Sequence, residues 1–216
     1  MANLPIGIVF LSITTILVFL GFFRATLDRM RLTDRSTIII LVLLIIAHLM
    51  PNFGINQYLA INLGAIIPLA VLIYLLITTS PNERIRAIAI LLATTGFIWV
   101  TDNLFLNSTD RFLFNIDPLY LPGIIGGLLA YLTTRSRRSA FIAGTGSIFL
   151  LDIIAFLTNL NHHVPSQIII GGGGIFDAII INGILAVIIA EIIGEIRERI
   201  QRGPARLPNQ GGDELE

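Results

Sequence analysis

The chain has 216 residues, 55% of them hydrophobic and 13% charged, with a mean hydropathy of +0.86 and a formal net charge of zero. It has no cysteine and no lysine, all fourteen cationic side chains being arginine. Disulfides, thiolate metal sites, cysteine nucleophiles, lysine Schiff bases of the retinal or pyridoxal kind and Walker-type phosphate loops are therefore excluded.

Long apolar blocks separated by short charged ones mark an all-α, polytopic transmembrane helical bundle. In chain order the blocks predict seven spans, at Pro5–Phe23, Ser36–Met50, Tyr58–Thr79, Ala87–Leu106, Leu119–Thr134, Ala140–Asn159 and Gln167–Ile196. No basic residue or small-residue cleavage site accompanies the first block, so it reads as a retained span and not a signal peptide. Arg24, Arg29, Arg31 and Arg35 follow span one, Arg84 and Arg86 span three, Arg135, Arg137 and Arg138 span five, and Arg197, Arg199, Arg202 and Arg206 span seven. Only Arg111 falls on the other side. This asymmetry predicts an outside N-terminus and a cytoplasmic C-terminus. Residues 1–202 form one transmembrane domain on this reading. The segment "EIRERIQR" extends span seven as a charged helix with i,i+4 pairs, and 203–216 are expected to be a disordered cytoplasmic tail.

Seven spans divide as three, one, three, which suggests a parallel repeat of two triplets. The third members are alike. Span three is interrupted by Asn62, Gly64 and Pro68, and span seven by Gly171–Gly174 and Asp177. Paired interruptions of this kind point to a transporter's binding site. Small-residue ridges at Gly123–Gly127, Ala140/Gly144 and Ala143/Ser147 predict that spans five, six and seven form one tight cluster.

Three aspartates fall inside the spans. At 1.5 Å per residue, Asp152 lies about 10 Å and Asp177 about 15 Å below the outer boundary, with Asp102 shallower. Thr145, Asp152 and Asn159 recur every seven residues as one polar stripe, and Gly173 and Gly174 share a face with Asp177. Buried carboxylates cost roughly 2.5–3.5 kcal/mol at a helix centre, so the pair is expected to share a proton, to bind a cation, or to hydrogen-bond freed backbone. Glu191, near the inner end, reads as structural, within reach of the interface or a tail arginine. The adjacent His162 and His163 lack a nearby third ligand, His48 lies apart at the outer end of span two, and no metal centre, cofactor or nucleic-acid partner is expected.

The segments "INLGAIIPLAVLIYLL", "DPLYLPGIIGGLLAYLTTRSRRSAFIAG" and "GGGGIFDAIIINGILAVIIAEIIGE" resemble the prokaryotic membrane family called domain of unknown function 1614. That resemblance implies the cell membrane of a bacterium or archaeon and carries no activity. A second resemblance is to intramembrane aspartyl proteases of the presenilin and signal-peptide-peptidase type, through Asp152 and the "GIFD" of Gly174–Asp177. Here Phe176 replaces the motif's second glycine, Leu151 replaces the expected tyrosine, and the Pro-Ala-Leu motif is missing. If the likeness held, Asp152 and Asp177 would be the catalytic pair.

Three functions stay open at this point. The first is movement of a proton, cation or small solute through an outward-facing cavity lined by Asp102, Asp152 and Asp177, with Asn62, Pro68 and the glycine run as irregular backbone. The others are intramembrane proteolysis and a structural or assembly role in the bilayer.

Overall fold

The computed structural model describes residues 33–47, 52–56, 58–62, 65–105, 120–162, 167–170 and 178–202. The predicted first span, Pro5–Phe23, and the tail 203–216 lie outside them. The described chain is mostly helical, with α1 (Asp34–Ala47), α2 (Ile66–Thr78), α3 (Pro81–Phe105), α4 (Leu121–Thr134), α5 (Arg137–Asn161) and α6 (Ala178–Arg202). Three short strands, β1 (Asn52–Gly54), β2 (Leu59–Asn62) and β3 (Ile168–Ile170), form one sheet in that order. Two helices, over Pro81–Asn103 and Arg137–Asn161, are long and apolar enough to cross a membrane. The α2 and α4 helices are apolar but shorter.

The strands correct the expectation of an all-α chain. Spans three and seven, predicted as continuous over Tyr58–Thr79 and Gln167–Ile196, are instead a strand followed by a helix: β2 then α2, β3 then α6. Uniformly apolar runs such as "LAIN" and "III" carry no periodicity that separates strand from helix, so the hydropathy profile merges the two. Pro68 does not interrupt α2. It lies buried in the helix's first turn, where a missing N–H leaves no hydrogen bond unmade. β1 and β2 pair antiparallel around an Asn56 turn, in which Tyr58 N donates to Asn56 Oδ1 at 2.8 Å. β3 then pairs parallel to β2, setting Leu59 against Ile168, Ala60 against Ile169 and Ile61 against Ile170.

The tight cluster of spans five, six and seven is present as α4, α5 and α6, with α5 also packed on α2 and α3. Glycine permits the close approach. A Cβ on Gly126 would lie 3.1 Å from Gly144 N of α5, and one on Gly127 would lie 2.6 Å from Ala186 O of α6. Gly144 itself packs directly on Asn182 and Ala186. α6 therefore presents Asn182, Ala186, Ala190 and Gly194, one every four residues and all buried, to its two neighbours.

At the end opposite the sheet, α2 and α4 close alike. Thr78 and Thr79 donate their hydroxyls to Tyr74 O and Leu75 O, and Thr133 and Thr134 donate theirs to Leu129 O and Ala130 O. Each threonine pair leads into a short turn and then a long helix, α3 or α5. Arginines 84, 86, 135, 137 and 138 all fall at these two turns, so the bundle has a strand end and an arginine end.

Candidate functional site

Strand pairing at the first end draws several elements to one junction. Asn62, the last residue of β2, is 5% exposed, and its Cα partner in the sheet is Asn52. Ala65, Ile148, Phe149 and Ile179 form a buried apolar cluster there, with Ile170 of β3 packed against it. This joins the start of α2, the outer third of α5, the start of α6 and the end of β3. Asp152, one turn beyond Ile148 on α5, is half-buried and hydrogen-bonded or charge-paired within the fold. Asn159, in the last turns of the same helix, is half-buried and likewise partnered. Asp102 continues the inward face of Leu91, Thr95 and Ile98 on α3 and is half-buried near its end. Asp177, Gly173 and Gly174 lie outside the described residues.

The register between α5 and α6 can be followed contact by contact. Gly183 of α6 packs on the Thr145 hydroxyl, and Glu191 meets Arg137. These antiparallel helices carry the same register toward the strand end, so Ala178, where the described part of α6 begins, is level with Leu150, half a turn before Asp152. Thr145 itself is fully buried, and its Oγ1 has no hydrogen-bond partner among the described residues. The predicted stripe thus runs from a buried Thr145 through a half-buried Asp152 to Asn159.

One buried polar group is not singled out by the sequence pattern. Asn182 is fully buried at the crossing of α4, α5 and α6, where its Oδ1 accepts the backbone N–H of Gly123 at 2.5 Å. The Asn-Gly step inside "IIINGILA", with Ala186 and Ala190 at the following fourth positions, was the available signal. Glu191, read from the sequence as structural, is held by an arginine of the neighbouring helix. Arg137, the first residue of α5, donates Nε to Glu191 Oε2 at 2.7 Å, with side-chain exposures of 8% and 22%. A cleft of about 540 Å³ opens beside it at the arginine end, lined by Ser80, Asn82, Glu83, Arg86, Thr134, Arg135, Ser136 and Arg137. Among the described residues, no group of three or more His, Asp or Glu side chains could hold a metal ion.

A mostly helical bundle whose last described helix is preceded by a strand, with large apolar side chains exposed outside and hydroxyls and amides among the buried residues, is the class of protein defined by these features. The chain belongs to the family described as "Protein of unknown function (DUF1614)", whose model matches residues 25–189. No curated protein and no solved structure matches it.

Proposed function

We propose that the chain is a multi-pass membrane protein that moves a proton or cation, alone or with a small solute, through a site at the strand end. Two sets of side chains support the membrane reading. Leu132, Ile77, Ile85 and Leu92 are exposed on the outside of the bundle, whereas Thr94, Thr145, Ser147 and Asn182 are buried within it. Large outward apolar surface with inward hydroxyls and amides suits a lipid solvent.

The observation that carries the transport reading is the parallel pairing of β2 with β3. It unites the two interrupted segments, each a strand followed by a helix that runs away from the sheet. Irregular backbone at membrane depth is tolerated where it is enclosed by protein or lines a cavity, and paired interruptions in two halves are where transporters bind their ions. A parallel strand pair also fits a repeat whose axis runs along the membrane normal. Asp152 and Asp177 form the ion site in this reading. Asn62 and Asp102 flank it, and the unpaired Thr145 hydroxyl offers the next oxygen inward.

The test is flux through liposomes under imposed proton and cation gradients. Wild-type flux abolished by Asp152→Asn or by Asp177→Asn supports the ion site. A wild-type protein inert under every gradient removes transport. Cleavage of a helical peptide, dependent on both aspartates, would assign the pair to hydrolysis instead.

A further inference from the structure

We propose that the cleft at the arginine end binds a phosphate-bearing anion through Arg86 and Arg135, whether that phosphate belongs to a phospholipid headgroup or to a soluble ion. The inference concerns the opposite end of the bundle from the transport site and stands or falls without it.

The arginines around the cleft divide by what they already hold. Arg84 donates Nη2 to Ile77 O at 3.1 Å and to Thr79 O at 3.2 Å, closing the C-terminus of α2. Arg137 is occupied by Glu191 and by Arg135 O, the latter at 3.1 Å. The guanidinium groups of Arg86 and Arg135 make no ion pair or hydrogen bond among the described residues, and both line the cleft. The lining's one carboxylate, Glu83, accepts the hydroxyl of Ser136. That bond ties the two turns together and holds the walls in place. The cleft is thus shared by two guanidinium groups without a partner among the described residues and one carboxylate that already accepts a hydroxyl.

Arg135 carries a second mark. Its φ of 52° puts it in the left-handed region, where the fold ends α4 with its N–H bonded to Ala130 O and Tyr131 O. Glycine or asparagine is usual at such a cap, because a Cβ there crowds the backbone. A strained residue with a long cationic side chain at the cleft's rim is the arrangement expected where position matters more than stability. Guanidinium forks match phosphate oxygens two at a time. The volume lies in the range of roughly 300–1,000 Å³ typical of small-molecule sites, enough for a phosphate with its substituent. The first turns of α3 and α5 at the cleft add a favourable dipole for an anion.

The experiment follows the thermal unfolding midpoint of the full chain in uncharged detergent. It is titrated separately with inorganic phosphate and with phosphatidylglycerol, an uncharged glycolipid serving as control. The wild type should show a saturable rise in midpoint. The Arg86→Gln/Arg135→Gln variant should lose it, while Arg199→Gln, on the exposed surface of α6, should keep it. Arg135→Gly separates binding from folding, because it should raise the ligand-free midpoint while weakening the response. A response to phosphatidylglycerol alone assigns the site to a headgroup, and a response to inorganic phosphate assigns it to a soluble anion. An equal rise in wild type and double variant, or no rise with either probe, overturns the proposal.

Discussion

Gly123 of α4 gives its backbone N–H to Oδ1 of Asn182 on α6 at 2.5 Å, so this helix crossing is fastened by a backbone donor and an amide side chain. A Cβ at position 123 would lie 2.8 Å from that same Oδ1 and 2.9 Å from Asn182 O. Gly123→Ala should therefore separate the helices and destabilise the fold by about 1–3 kcal/mol, the usual cost of overpacking. Gly96→Ala is the counterpart, since nothing lies within 4 Å of a Cβ there. It should be neutral or stabilising by up to about 1 kcal/mol, because alanine is the better helix former. Unfolding in a graded denaturing detergent, measured on both variants, checks the pair.

Arg137 and Glu191 provide a second test. Removing one partner leaves the other charge poorly solvated, so Arg137→Gln or Glu191→Gln should each cost about 3–5 kcal/mol. Arg137→Met combined with Glu191→Leu should recover most of that loss, because it removes the charged pair outright. A double-mutant cycle on unfolding free energy measures the coupling. Additive losses would mean that the 2.7 Å bond contributes nothing.

The absence of cysteine makes topology directly measurable, since the parent chain gives no thiol background. In intact cells, Phe53→Cys at the strand end should react with a membrane-impermeant maleimide. Arg135→Cys should react only after the membrane is opened, and Leu132→Cys, 73% exposed on an apolar face, should resist the reagent in both conditions. Early labelling of Arg135→Cys would reverse the orientation.

Leu59 and Ile168 face each other across the parallel strands. Neighbouring strands run roughly 4.7–4.9 Å apart, within the Cα separation a disulfide accepts. Leu59→Cys with Ile168→Cys should therefore cross-link under mild oxidation, whereas Leu59→Cys with Ile170→Cys should do so poorly. If transport needs the strands to part, the cross-linked protein should lose flux and regain it on reduction.

Much of the helical core could be read from residue spacing alone. Gly123, Gly127, Ala143 and Gly144 are ridge residues at helical intervals, and the structure has them in contact with the neighbours they predict. The break before α2 was visible at Asn62 and Gly64, although Pro68 was blamed for part of it. What escaped were relationships between distant segments. Nothing in "III" names "LAIN" as its partner, because strand pairing between uniformly apolar runs is decided by the helices that carry them. Glu191 pairs with Arg137, 54 residues away, a partner that its neighbourhood in the sequence does not reveal. Asn182 is not legible because an amide in an apolar run carries no charge to mark it, and its role is to accept a backbone N–H of a distant helix.

The parallel strands also constrain the order of assembly. Gln167 Nε2 donates to Asn56 O across 111 residues, so the β1–β2 hairpin is synthesised long before the strand that covers its open edge. Local helical hairpins form early, and contacts of high sequence separation form late. A ribosome that has not yet reached Ile168 has delivered α2 through α5 with the β2 edge still unpaired. Closure of the sheet thus waits for β3, and a chain cut short before Ile168 would leave the β2 edge without its parallel partner.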